Sequence, residues 1–184
     1  MKIVPCKNYS RISVYDLPIK PSPNLPNLSS IYWYPSTCFF EGTVLSEGRG
    51  TAAPFQIFGH PSLPSTMYAF TPKAMPGANS PKLKDQLCYG WNVAGEPASI
   101  RSRLNNRLDL SYLIEAYRLF PAKEKFFILP KSGDARASFF NKLAGNATLM
   151  EQIKTGIAED EIRKSWAPGL KAFKKIRAKY LIYR

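Results

Sequence analysis

Four prolines within nine residues rule out a regular helix and a central β-strand near the start of the chain; they are Pro18, Pro21, Pro23 and Pro26. Each proline fixes φ and lacks the backbone N–H that a helix or a sheet interior requires. The sequence therefore predicts a stiff extended loop over residues 17–26. A loop of this kind either covers a sheet edge or lines a cleft, and its polar tips, Ser22 and Asn24, are candidate binding residues.

Short strand-like segments dominate the rest of the first half. Residues 2–6, 67–71 and 87–93 have the composition of strands, and the aromatic run at residues 30–34 indicates a strand or the end of a short helix. The apolar residues 55–58 lead into a turn formed by Gly59, His60 and Pro61. The first half is thus expected to be rich in strands and loops.

The second half has helical periodicity. Apolar residues recur at helical spacing over residues 109–120, and shorter helices are expected over residues 137–143, 147–154 and 158–165. Pro168 is expected to open a separate last helix, since proline is tolerated in a first turn.

Strands early and helices late predict an α+β fold rather than a βαβ repeat. We expect one domain over residues 1–184, with a small mixed sheet in residues 1–105 packed by helices from residues 106–184. A length of 184 residues is sufficient for a hydrophobic core.

The net charge of +13 raises the question of an anionic partner. Much of this charge lies after residue 162, at helical spacing around the apolar stripe Leu170, Phe173 and Ile176. We interpret it as a solvated helix face. No nucleic-acid motif accompanies it, because the consecutive aromatic residues 32–34 would alternate between the faces of a strand and form no stacking stripe.

Several classes of site are not indicated by the sequence. Three dispersed cysteines, Cys6, Cys38 and Cys88, form no disulfide framework, and with His60 as the single histidine neither a metal site nor a cofactor is expected. A Ser-His-Asp triad would have to use His60, whose spacing singles out no partners. No apolar run approaches the roughly 18 residues of a spanning helix. Residues 1–10 lack the apolar core of a signal peptide, so no export signal is expected.

The segment of residues 41–51, EGTVLSEGRGT, holds three glycines, two carboxylates and an arginine. Little apolar bulk suggests a small contribution to the core, and glycine allows positive φ and close approach to a ligand. Glu41 and Glu47 would lie roughly 20 Å apart in an extended chain and act as a pair only if the chain reverses. Glu47 and Arg49 lie on the same side of an extended chain. Arg49 either stabilises the loop through an ion pair with Glu47 or binds an acidic ligand with its bidentate guanidinium group. The spacing matches neither a phosphate-binding loop nor a complete nucleophile elbow.

At this point the sequence resembles the C-terminal part of the NamZ-type exo-β-N-acetylmuramidases, glycoside hydrolase family 171, formerly domain of unknown function 1343. The resemblance is carried by PSPNLP at residues 21–26 and by YPSTCFFEGTVLSEGRGTAAPF at residues 34–55. Later motifs follow in order: FTP at 70–72, CYG at 88–90, FNKLAG at 140–145, IRKSW at 162–166 and YLIY at 180–183.

The resemblance implies an enzyme that removes N-acetylmuramic acid from the non-reducing end of peptidoglycan fragments. Family members are periplasmic or secreted and are about twice this length. They carry an N-terminal Rossmann-like domain that contains the proposed catalytic glutamate. This chain has no counterpart of that domain, so its catalytic residues stay unknown and it is not expected to be active alone.

On this basis we expect the chain to supply the substrate cleft of a muramidase, with a muramic acid saccharide and the N-terminal domain as partners. Arg49 would bind the lactyl carboxylate, and Glu47 and Glu41 would position Arg49 or sugar hydroxyls. Further hydrogen bonds are expected from the side chains of Ser22, Asn24, Thr43, Ser46 and Thr51. The alternative is a non-catalytic module that binds an anionic wall glycan or a partner domain.

Overall fold

A computed structural model describes residues 2–134 and 137–183 of the chain, and these form an α+β fold. The strands are β1 (Ile57–His60), β2 (Tyr68–Phe70) and β3 (Cys88–Asn92). The α-helices are α1 (Leu28–Thr37), α2 (Pro97–Leu104), α3 (Ser111–Leu119), α4 (Phe139–Ala144), α5 (Thr148–Lys154) and α6 (Glu159–Ala178). Short 3-10 helices cover Cys38–Gly42 and Lys123–Lys125. The α+β class expected from the sequence is confirmed.

The three strands form one antiparallel sheet in the order β1-β3-β2. In β1 and β3, Phe58 pairs with Trp91 and Gly59 with Gly90, while Phe70 of β2 pairs with Cys88. Both pairings are antiparallel, so the sheet differs from the mixed arrangement expected. The connections between the strands, residues 61–67 and 71–87, contain no crossover helix, and this allows an antiparallel sheet.

The main core lies between the sheet and the later helices. Phe58 of β1 stacks on Phe40, with ring centroids 4.5 Å apart, and both side chains are almost fully buried. The helices cover this layer with buried side chains from α3, α4, α5 and the first turn of α6; they include Leu113, Phe140, Ile153 and Ile162. Strands from the first half and helices from the second therefore share one core.

Two expectations about the first half are wrong, and the choice between strand and helix for residues 30–34 is decided in favour of helix. Residues 2–6 form no strand, and a proline at position 5 removes one backbone donor there. The aromatic residues 30–34 belong to α1, which begins because the Asn27 side chain accepts the N–H of Ser30 in a capping box. Gly59 and His60 continue β1 instead of turning.

One helix of the first half was not anticipated: α2 starts with Pro97 in its first turn and ends at Leu104, capped by Asn105, whose φ is +43°. The second half follows the predicted helices closely, with one difference. α6 runs unbroken through Pro168, although two helices were expected there. Proline's φ is compatible with a helix, and the lost hydrogen bond is tolerated in this exposed segment. In the part of the chain that the structure describes, no helix is long and apolar enough to cross a membrane.

Candidate functional site

The polar segment at residues 41–51 is fixed on both sides by backbone hydrogen bonds. Val44 N–H donates to the Phe126 carbonyl at 3.0 Å, and Ser46 exchanges two hydrogen bonds with Gly59 of β1, at 2.8 and 3.0 Å. Leu45 is fully buried between these contacts. The expectation that the segment adds little to the core is therefore wrong, because backbone pairing draws its few apolar atoms inward.

Two of its glycines are required by the backbone. Gly48 and Gly50 have φ of +81° and +80°, in the left-handed region that other residues rarely adopt. A Cβ on Gly48 would lie 2.2 Å from the Ile57 carbonyl oxygen, and one on Gly50 would lie 2.5 Å from that of Lys73. The positive φ and close approach predicted for these glycines are present, and the close neighbour is the protein's own backbone.

The chain reverses between Glu41 and Glu47, and Arg49 bridges them. Arg49 Nη2 donates to Glu41 Oε2 at 2.8 Å, and Nη1 donates to Glu47 Oε1 at 2.9 Å. Lys82 Nζ lies 2.8 Å from Glu47 Oε2. We call these four residues the charge cluster. Because the Glu47 side chain is only 2% exposed and paired with two cations, the two glutamates do not form a pair of substrate-facing carboxylates.

Lys82 was missed by sequence reasoning. Its ammonium also donates to the carbonyls of Phe40 and Thr43, at 2.8 and 3.0 Å, so it ties the 3-10 helix and the polar segment together. Burial lowers the pKa of Lys82, and the charge of Glu47 partly opposes that shift. Nothing in the sequence distinguishes it from other lysines, since its partners lie far away along the chain.

Arg49 lies against an aromatic pair. Its guanidinium carbon is 5.0 Å from the centroid of the Phe55 ring, and Tyr34 meets the same ring edge-on at 4.8 Å. Burial acts to lower the pKa of Arg49, but hydrogen bonds and charges from Glu41 and Glu47 outweigh it, so the pKa is raised. Phe55 has φ of +62°, a strained conformation that its N–H bond to the Glu47 carbonyl holds in place.

Three of the four predicted hydroxyl ligands lie in the polar segment, and each is engaged by backbone groups in the segment or directly before it. Thr43 Oγ1 donates to the Phe40 carbonyl, and Thr51 Oγ1 donates to the Gly48 carbonyl. Ser46 Oγ accepts the Gly48 N–H at 3.1 Å, and Ser46 is 1% exposed. These side chains hold the turns that present Arg49, and their predicted role toward a saccharide stays a prediction.

Ser22 and Asn24 belong to a neighbouring loop rather than to the charge cluster. Ser22 Oγ accepts the Asn24 N–H, and Asn24 Nδ2 donates to the Gly77 carbonyl at 2.9 Å. The proline-rich stretch contains no helix or sheet strand up to the start of α1, as predicted. It is not extended throughout, because residues 22–25 form a turn in which the Leu25 N–H donates to the Ser22 carbonyl at 3.0 Å. No contact between these two side chains and Arg49 is formed.

His60 has a structural role. His60 Nδ1 accepts the Ser62 N–H, its ring packs edge-on against Phe120, and burial lowers its pKa. A hydrolase triad around His60 is therefore not supported. Across residues 2–134 and 137–183, no group of three or more His, Cys, Asp or Glu side chains is arranged to hold a metal ion.

The atoms left for a ligand lie on the outer side of the charge cluster. Arg49 is 31% exposed and has five N–H donors, of which two are used. Glu41 is 12% exposed, and its Oε1 has no hydrogen bond within the described residues. The half-exposed Tyr34 adds a ring and a hydroxyl, whose pKa is raised by burial and by Glu41. The free N–H groups of Arg49, the Oε1 acceptor of Glu41 and the Tyr34 ring together suit a polyhydroxylated ligand.

Fold and site together define an α+β domain that presents a rigid, ion-paired polar surface beside an aromatic ring. Residues 32–183 match the family model described as Exo-beta-N-acetylmuramidase NamZ, C-terminal, and the chain belongs to this family.

Two relatives fit this assignment. The chain is 32% identical to the peptidoglycan beta-N-acetylmuramidase NamZ of Bacillus subtilis, over all of this chain and 45% of the relative. It also matches the crystal structure of a DUF1343 family protein from Bacteroides fragilis, with 40% identity and a TM-score of 0.88, over all of this chain and 49% of that one. The chain thus spans about half the length of the relatives it matches.

Proposed function

We propose that this domain forms one wall of the substrate cleft of a peptidoglycan-degrading exo-β-N-acetylmuramidase. The observation that carries the proposal is the charge cluster, which holds Arg49 and Glu41 at the surface with donors and an acceptor free. Membership of the NamZ family supplies the substrate class, a muramic acid saccharide.

The geometry favours a role for Arg49 that differs from simple carboxylate capture. Glu41 and Glu47 already compensate its charge, and with Lys82 the cluster carries two positive and two negative charges. A neutral cluster attracts a lactyl carboxylate less than a lone arginine would. We therefore assign to Arg49 and Glu41 the joint binding of sugar hydroxyls and the lactyl group, with the Tyr34 ring as a stacking surface.

We propose that the domain alone binds a muramic acid saccharide but does not hydrolyse it. Glu47 is paired with two cations and its side chain is only 2% exposed, so we assign it no catalytic role. The first test is release of N-acetylmuramic acid from peptidoglycan fragments by this chain alone, which we expect to be absent. Efficient hydrolysis by the isolated chain would contradict this part of the proposal.

The second test uses a chimera in which this chain replaces the matched part of the Bacillus relative. Arg49→Lys keeps one positive charge but cannot bridge two carboxylates, so kcat/KM should fall by roughly 10- to 100-fold through misplacement of Glu41. Arg118→Lys is the matched control, because Arg118 is 72% exposed and only loosely paired with Glu115, at 3.8 Å. Equal kinetics for Arg49→Lys and the unmodified chimera would refute the assigned site. Saccharide binding by an inactive chimera would instead favour a non-catalytic module.

A further inference from the structure

The loop that joins β2 to β3, residues 71–87, packs on the polar segment and carries Lys82 into it. The fit is close, because a Cβ on Gly50 would lie 2.6 Å from Pro81 Cγ. Leu83, directly after Lys82, has φ of +57°, which is uncommon for a bulky side chain. Its side chain packs against a buried apolar cluster, and this contact holds the strained backbone. Lys82 is therefore fixed between two anchored neighbours.

The ammonium group of Lys82 is surrounded by acceptors. It donates to the carbonyls of Phe40 and Thr43, and it lies 2.8 Å from Glu47 Oε2. Three acceptors match the three N–H donors of a charged ammonium, whereas a neutral amine has only two. Lys82 is therefore present as a cation and has no N–H left for a ligand. It influences a ligand only through the rest of the charge cluster.

The charge of Lys82 balances the buried carboxylate. Without Lys82, Arg49 alone would face Glu41 and Glu47, and the cluster would carry one net negative charge. Glu47 would stay ionised, since Arg49 remains 2.9 Å away. Because the Glu47 side chain is only 2% exposed, water screens its charge poorly. The excess negative charge would act on the outer side of the cluster, where Arg49 and Glu41 reach the surface.

We propose that Lys82 is a positioning residue that determines specificity: by balancing Glu47 it allows the outer side of the charge cluster to accept a ligand that carries a carboxylate. The ligand class is a sugar acid, of which N-acetylmuramic acid with its lactyl carboxylate is the example. The inference rests on the proposed function, because that function supplies the saccharide and assigns it to Arg49 and Glu41.

A purely structural role is the alternative. Loss of the bonds from Lys82 to the carbonyls of Phe40 and Thr43 would loosen the polar segment. Such loosening would weaken the binding of a charged saccharide and of a neutral one alike. A lost charge balance acts on the charged saccharide only. Comparison of N-acetylmuramic acid with its lactyl amide, which is uncharged and nearly the same size, separates the two roles.

Titration of this chain with each of the two ligands, followed by NMR chemical shifts, measures the dissociation constants. Lys82→Met keeps the side-chain length and removes the charge. One unit charge over about 10 Å, at an effective dielectric constant of about 20–40, should weaken acid binding by roughly 4- to 15-fold. Amide binding should stay the same. Lys84→Met is the matched control, because it removes one charge from the same loop at a side chain that is 47% exposed; it should change neither constant.

A double substitution keeps the test decisive if Lys82→Met costs too much stability. Lys82→Met combined with Glu47→Gln removes the buried carboxylate together with its cation, so the cluster is neutral again. The ratio of the two dissociation constants should then return to that of the unmodified chain, although the bonds of Lys82 are still missing. An unrestored ratio would overturn the inference.

The remaining outcomes separate this inference from the proposed function. Equal weakening of acid and amide binding by Lys82→Met, together with the expected loss of kcat/KM in the Arg49→Lys chimera, would overturn the inference and leave the proposed function standing. Failure of the unmodified chain to bind either ligand would contradict the proposed function, and the role of Lys82 with it.

Discussion

The charge cluster and the second half of α6 use charged residues in opposite ways. In the charge cluster two cations and two carboxylates neutralise one another, and Glu47 is almost fully buried. On α6 the basic residues beyond Ser165 face solvent without ion pairs in the described residues, around apolar side chains that are half exposed. Similar residue types therefore build a rigid, ion-paired structure in one region and leave an exposed, unpaired surface in the other.

The largest expected effect comes from removing the buried carboxylate. Glu47→Ala leaves Arg49 and Lys82 facing each other without their shared partner, and breaking a buried pair in this way costs about 3–5 kcal/mol of unfolding free energy. Urea denaturation measures the loss. On α6, Glu161→Ala is the control, since its pair with Lys164 is 59% exposed on the glutamate side and is worth about 0–1 kcal/mol. Similar losses for both variants would remove the distinction between the two regions.

Two glycine substitutions should change stability in opposite directions. Gly48→Ala introduces a Cβ at φ +81° and 2.2 Å from a carbonyl oxygen, so it should cost more than about 1–2 kcal/mol. Gly169→Ala on α6 meets no atom within 4 Å and should stabilise the helix by about 0.5–1 kcal/mol. The midpoint of urea unfolding measures both. A neutral Gly48→Ala would mean that the polar segment is less rigid than its hydrogen bonds indicate.

These regions also differ in how far the sequence predicts them. Periodicity identifies helices because it depends on local spacing, and the glycines of residues 41–51 predict positive φ for the same reason. The antiparallel register of β1 and β3 and the position of Lys82 depend on contacts between residues far apart in the chain. The hydroxyls of Thr43 and Thr51 donate to nearby backbone carbonyls. Composition alone does not show whether such a hydroxyl binds the backbone or a ligand. α6 runs unbroken through the exposed Pro168, a position where local rules predict the start of a separate helix.

The smallest effect concerns the three cysteines, of which one lies beside the charge cluster. Cys6 belongs to the exposed N-terminal segment, whereas Cys38 lies beside the charge cluster and Cys88 is buried in β3. Burial, followed by the charge of Glu41, raises the pKa of Cys38 to about 11, and burial alone raises the pKa of Cys88 to about 11.

At pH 8 a thiol with such a pKa is only about one part in a thousand thiolate, so iodoacetamide should label Cys6 well before the other two. A folded-state pKa above the unfolded value adds stability below pH 9, the ordinary value for these thiols, and that stability is lost as the pH rises toward 11. Cys38→Ala should therefore flatten the decline of unfolding free energy between pH 9 and 11. Early labelling of Cys38 at pH 8 would show that the surface beside the charge cluster opens in solution, which would bring the two regions closer in behaviour than their contacts suggest.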